Sequence, residues 1–240
     1  MRELKVKYLL LILGLSVSAS WAQDRVRIVT EDLPPLSYQN SKGEILGAAT
    51  ARVKELMSSA EVDYDIAILP WKRAIKSTLE QPNTLIYTIL KTPQREPEFE
   101  WFCPISEPLK IYLYALRNNP LPALNSLHDS KSALVGVSRG SVAHGIMLAN
   151  GFEEDNNLIV TNGMEVLKQN LSNGRLDYIL VIDSAVKDMP NIVKALPISF
   201  SKNYLPCLAM NKNSDENVKK RLRAAFANLP TIKNIDKTKH

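Results

Sequence analysis

The reading of this chain turns on IYTILKTPQREPEFEWFCPI, residues 86–105. It opens inside the apolar run TLIYTIL (84–90), which has the length and β-branched content of a buried strand, and it closes on a second apolar run, EWFCPI. Lys91, Thr92, Pro93, Gln94 and Arg95 interrupt the two. Arg95 lies just past the strand, three positions after Thr92, and read alone it either decorates a solvated turn or faces an anionic ligand. The elements on both sides must decide.

Upstream, RVRIVT (25–30) reads as a strand, and EDLPPLSYQNSKGEILG as a loop in which Pro34 and Pro35 exclude helix. ATARVKELMSSA (49–60) places Val53, Leu56 and Met57 on one helical face, VDYDIAIL (62–69) alternates as a strand, and Pro70 precedes a helical pattern in PWKRAIKSTLE. With TLIYTIL the order is β-α-β-α-β, which predicts a mainly parallel sheet with helices on its faces. Downstream, LKIYLYAL (109–116) is extended, and then the order repeats: ALVGVSRGS (133–141), VAHGIMLANG, NLIVT, GMEVLKQNLSNG and LDYILVI. The tail adds a strand, PCLAMNKN, and an amphipathic helix, SDENVKKRLRAAFANL, with Ser214 as its expected N-cap. The prediction is an α/β protein of two open lobes with a ligand cleft between them, joined by two hinge strands, near 101–108 and again before the tail. Ligands of open α/β sheets lie at the carboxyl ends of the strands, where helix N-termini converge.

The N-terminus reads as an export signal: basic MRELKVK, the apolar YLLLILGLSVS, then small residues Ser20 and Ala22 at cleavage spacing. The expected division is 1–22 signal peptide, 23–104 the first part of lobe one, 105–204 lobe two, and 205–240 a segment returning to lobe one. Cleavage after Ala22 removes Arg2, Lys5, Lys7 and Glu3, lowering the formal charge from +5 to +3. So mild a charge, with no basic block, argues against nucleic acid as a partner. Cys103 and Cys207 enter an oxidising compartment, where a disulfide and two buried thiols both remain open. The isolated His128, His144 and His240 offer no metal-ligand spacing, and no Walker, dinucleotide or G-x-S-x-G motif is present. Neither metal nor cofactor is expected.

Five stretches in this order resemble the family 3 periplasmic solute-binding proteins, the type that serves amino-acid ABC transporters: VRIVTEDLPPLSYQNSKGEILG, PWKRAI, TPQREPEFEWFCPI, LVGVSRGSVA and LSNGRLDYILVID. The resemblance implies the type II periplasmic-binding-protein fold, closure of two lobes on a small amino-acid-like solute, and delivery by a monomer to an inner-membrane permease. It implies a two-pronged pairing of Arg95 with a ligand carboxylate, for which a planar guanidinium is suited. It also implies Trp71 as a wall for the ligand side chain, Tyr87 and Thr88 as strand-end contacts to an amine, and Asp183 as a second-lobe acid for an ammonium group. Glu31, just after the first strand, is placed to meet an ammonium group, and Ser141, opening a helix, to cap an anion. The chain departs from the pattern at Val142, where a second hydroxyl is usual, in GAATARV and QPNT, which lack usual acids, and at its short end. Two other readings share the fold: a sensing module that no permease visits, and a periplasmic dehydratase-like enzyme with Glu31 and Asp183 as acid and base.

Overall fold

A computed structural model describes residues 25–196, 204–230 and 232; the expected signal peptide lies outside the described residues. In chain order the elements are β1 (Val26–Thr30), β2 (Tyr38–Gln39), β3 (Ile45–Leu46), α1 (Ala48–Ser59), β4 (Tyr64–Ile68), α2 (Trp71–Glu80), β5 (Thr84–Leu90) and β6 (Phe99–Phe102). There follow β7 (Ile111–Leu116), β8 (Val135–Ser138), α3 (Val142–Ala149), β9 (Leu158–Thr161), α4 (Met164–Ser172), β10 (Tyr178–Ile182), β11 (Ile192–Lys194), β12 (Pro206–Asn211) and α5 (Glu216–Asn228).

Two five-stranded sheets result. The first has the order β4-β1-β5-β12-β6 and the second β11-β7-β10-β8-β9. Within the first, β1 pairs parallel with β4 and β5, as a βαβ crossover requires, whereas β12 inserts antiparallel between β5 and β6. All seven residues of β5 are buried, because helices cover both faces of this central strand. On one face Val53, Leu56 and Met57 of α1 and Val218 and Leu222 of α5 pack with Leu85 and Tyr87. On the other, Trp71 and Ala74 of α2 pack with Ile86 and Ile89. The second sheet repeats the plan, with β8 parallel to β9 and β10, and β7 and β11 antiparallel at one side.

Local chemistry sets the helix starts. Gly47 precedes α1 at φ +121°, and a Cβ there would lie 2.3 Å from the Leu36 carbonyl oxygen, so only glycine fits. Pro70 precedes α2, and its carbonyl accepts from Arg73 and Ala74. The N-cap of α5 is Asp215 rather than Ser214: Asp215 accepts from the Asn217 and Val218 amides. The Ser214 hydroxyl is drawn off as an acceptor for the Asn83 amide, which ties the tail to the start of β5.

The chain passes from the first sheet to the second after β6 and back before β12. Cys103 directly follows β6 and Cys207 is the second residue of β12; they form a disulfide across 104 residues, which resolves the alternative the sequence left open. Among the described residues no helix is long and apolar enough to cross a membrane.

Candidate functional site

Between the two sheets lies a cavity of about 60 Å³. The first lobe contributes Glu31, Trp71, Thr88 and Arg95, and the second contributes Ser138 and Ser141; the rest of the lining is aliphatic, including Leu33, Leu90, Met164 and Leu180. Five of the seven residues expected at the site therefore share one wall system.

Each arrives by its own route. Glu31 is the residue directly after β1, and Trp71 is the first residue of α2. Thr88 lies in β5 where the pairing with β12 slips by one residue, a bulge that gives this β-branched residue φ +62°. Such a conformation is costly for a threonine and marks a place where surrounding structure overrides local preference. Its hydroxyl donates to the Tyr87 carbonyl at 2.5 Å and lies 3.2 Å from the Thr30 hydroxyl. Arg95 is carried on a turn closed by its own amide and that of Glu96, both donating to the Thr92 carbonyl. The expected Thr-x-x-Arg spacing thus builds a turn that aims the guanidinium into the cleft.

The guanidinium crosses to the other lobe. Arg95 Nη1 donates to the Leu90 carbonyl at 3.1 Å and Nη2 to the Gly140 carbonyl at 2.7 Å, with Cζ 5.8 Å from the Trp71 ring centroid. Trp71 Nε1 donates to the same Gly140 oxygen at 3.2 Å. Two first-lobe donors therefore meet on one second-lobe carbonyl. Two of the five N–H groups of Arg95 are engaged, which leaves enough for a two-pronged carboxylate. Burial pulls the Arg95 guanidinium down to about 10, partly offset by Glu31, so it stays a cation at neutral pH.

Glu31 keeps part of its surface open while protein surrounds its carboxyl group. Burial pushes it up to about 8; Arg95 opposes that rise and Asp32 adds to it. At pH 7 the group is mainly a neutral carboxylic acid, able to donate as well as accept.

The second-lobe turn is fixed from behind. Gly140, at φ +72°, donates its amide to His144 Nδ1 at 3.2 Å, while His144 Nε2 meets Glu154 Oε1 at 3.0 Å and Arg139 reaches the other Glu154 oxygen at 3.3 Å. Ser141 caps α3, its hydroxyl accepting from the His144 amide at 3.1 Å. A larger open groove of about 840 Å³ over α3 abuts the cavity and shares Arg95, Ser141 and Val142 with it.

Tyr87 and Asp183 lie off the cavity. The Tyr87 side chain is fully buried on the other face of β5, its hydroxyl 2.8 Å from that of Thr50, and its carbonyl is taken by Thr30 and Thr88. Strand alternation turned it to the core. Asp183 follows β10, but Tyr114 donates to it at 2.5 Å and Lys194 pairs with it at 3.0 Å. The Tyr114 hydrogen bond foremost, with the Lys194 contact assisting, holds the Asp183 carboxyl below the usual range despite partial burial. Two features in or beside the cavity went unread in the sequence. Ser138, the last residue of β8, occupies the strand end where ligand contacts concentrate, so its position was a usable signal. The Gly140 carbonyl had none, being backbone.

No protein-family model matches the chain, and no curated protein sequence does. Solved structures do. The substrate-binding protein of an amino acid ABC transporter superposes with a TM-score of 0.75 at 16% identity, over 89% of this chain and 96% of that one. The arginine-, lysine-, histidine-binding protein ArtJ from Geobacillus stearothermophilus gives 0.70 at 18%, over 89% and 91%. A histidine kinase sensor domain with similarity to periplasmic binding proteins gives 0.73 at 15%, over 85% and 89%. At such identities the likeness speaks to architecture, and with the two sheets and the cleft between them it shows that this chain has the α/β fold of the periplasmic binding proteins.

Proposed function

We propose that this protein is a divergent family 3 solute-binding protein, exported to the periplasm, that captures a small carboxylated solute of amino-acid size between its two lobes. The observation that carries this reading is Arg95: a partly buried guanidinium at the cavity, bonded to both lobes and still holding free donors. Carboxylate capture there would use paired, charge-assisted hydrogen bonds in a partly enclosed site, where such bonds are stronger than in open water. Glu31, Trp71, Thr88 and Ser141 complete the proposed contacts, and Tyr87 and Asp183 act in the framework behind them. Delivery of the solute by a monomer to an ABC permease is part of this reading, and the similar structure that is the substrate-binding protein of an amino acid ABC transporter supports a transport role.

The alternative of an enzyme with Glu31 and Asp183 as acid and base loses its support, because Asp183 is committed to Tyr114 and Lys194 away from the cavity. A sensing role retains some, since the lobes are joined by bonds of their own and a kinase sensor domain has a similar architecture.

The test is a thermal-shift and calorimetric screen of small carboxylates on wild type, R95K and R95A. A solute at 100 times its Kd should add about 2.7 kcal/mol of stability. R95A should lose that gain, and R95K should retain only part of it, since an ammonium lacks the planar fork. If no carboxylate shifts the wild type, the reading fails. Uptake of the identified solute by cells lacking this chain then separates transport, where uptake falls, from sensing, where it does not.

A further inference from the structure

The polar contents of the cavity, taken lobe by lobe, are unequal. The first lobe supplies a cation, Arg95, and the single acid on the wall, Glu31. The second lobe supplies no charge to it, only aliphatic side chains and two serines. Ser141 already accepts from the His144 amide and keeps its O–H to donate. Ser138 has no partner at all: it is 5% exposed, and its Oγ is buried without a hydrogen bond. Three buried side-chain polar atoms among the described residues are in this condition, Arg52 Nε, Ser138 Oγ and Ser184 Oγ, and Ser138 belongs to the one residue of the three that lines the cavity. A buried hydroxyl left unpaired is costly, and such groups recur where a ligand supplies the partner.

We propose that the solute is a short 2-hydroxy or 2-oxo monocarboxylate rather than an α-amino acid, with Ser138 hydrogen-bonding the ligand's non-carboxylate oxygen while Arg95 holds the carboxylate. The assignment of Ser138 rests on the carboxylate reading of Arg95 given above. Size is consistent with a short acid: the cavity is small, about 60 Å³, although it opens beside the groove over α3. Charge agrees as well. An α-ammonium group would face hydrocarbon and a neutral hydroxyl on the second-lobe side, since the candidate acid there, Asp183, is held by Tyr114 and Lys194. On the first-lobe side its one acidic partner is Glu31, which must release a proton to serve as a counter-charge. A carboxyl pushed up to about 8 is ionised in only about one molecule in ten at pH 7, so a zwitterion is handicapped about tenfold there. A hydroxyl or carbonyl instead uses the neutral Glu31 and Ser138 as they stand, each able to donate and to accept.

Four probes of nearly equal size decide the matter by calorimetry at pH 7: lactate, pyruvate, propionate and alanine. Lactate or pyruvate should bind at least about tenfold tighter than propionate, which lacks the oxygen, and tighter than alanine. S138A should bring the lactate-to-propionate preference close to one. Removal of an unpartnered buried hydroxyl should not unfold the protein, and the wild-type ranking stands as a test without the variant. Alanine binding tightest in the wild type overturns the proposal, as does an S138A variant with the lactate preference intact. Should none of the four bind while another carboxylate in the wider screen does so through Arg95, or should all four bind equally and depend on Arg95, the Arg95 reading survives and the Ser138 assignment falls alone; should no carboxylate bind at all, both fail.

Discussion

Replacing Glu31 with glutamine isolates the energetic signature of the cleft. The folded protein holds the Glu31 carboxyl up to about 8 against an ordinary 4.5, chiefly by burial. An acid raised in this way keeps its proton when folded and loses it when unfolded, so between those two values the unfolded chain binds fewer protons and stability falls as pH rises. The slope at full effect is about 1.4 kcal/mol per pH unit, and the whole window amounts to about 4–5 kcal/mol. Glutamine copies the shape of the neutral acid and does not titrate. Arg95, brought down only to about 10, stays charged across the window and contributes the same to both proteins. The assay is urea denaturation of the unliganded wild type and E31Q at pH 5, 6, 7 and 7.5, compared as differences so that common titrations cancel. The two diverge steadily across this range, with E31Q gaining about 3 kcal/mol relative to wild type between pH 5 and pH 7.5. Parallel curves across that range would refute the buried, neutral Glu31 and with it the handicap assigned to ammonium ligands.

Three further outcomes follow from single contacts. W71F keeps an aromatic ring beside Arg95 but removes the donor to Gly140, and should weaken lobe closure by about 1 kcal/mol; small-angle scattering of the unliganded protein should report a larger radius of gyration. G47A forces a side chain into φ +121° and against the Leu36 carbonyl, and should cost at least about 3 kcal/mol, read as a lowered midpoint of thermal unfolding. Cys103→Ser with Cys207→Ser opens a loop of 104 residues, which chain entropy values at about 4–5 kcal/mol, so denaturation under oxidising conditions should show a loss approaching that size.

The parts of this architecture carried by local signals were legible in the sequence. The apolar run 84–90 became β5 residue for residue, and the repeat of strand and helix patterns announced two sheets. Arg95 was legible because a strand end, a threonine three residues earlier and a following apolar run confine it to a cleft lip. What failed to show depended on partners distant in sequence. A run buried on both faces has no alternation to read, so nothing in TLIYTIL told which of Tyr87 and Thr88 faced the cleft, and the bulge that turned Thr88 came from pairing with β12 more than a hundred residues on. Asp183 stood at a strand end as expected, yet Tyr114, 69 residues away, claimed its carboxylate. Ser214 lost the N-cap of α5 to Asp215 for the same kind of reason, since its hydroxyl was wanted by Asn83.

The Gly140 carbonyl ties affinity to closure in a way that no single side chain does. Trp71 and Arg95 both donate to it, and its orientation is held by the Gly140 amide on His144. The lobes thus close partly on protein alone, and a ligand need not supply all of the bridging. For a protein whose binding-competent form is a fraction of the population, apparent affinity falls by that fraction. Each 1.4 kcal/mol given to closure by this carbonyl raises apparent affinity about tenfold until the closed form predominates, and nothing beyond that point. A mainly aliphatic second-lobe wall with few donors is then compatible with useful affinity, because the position from which Arg95 would meet the proposed carboxylate is largely set beforehand. By the same linkage, W71F should weaken a bound carboxylate by no more than about tenfold even though Trp71 donates no hydrogen bond to it, whereas R95A should remove binding outright. Equal losses in the two variants would mean that the Trp71 indole N–H bonds the ligand itself and that the Gly140 carbonyl contributes nothing to closure.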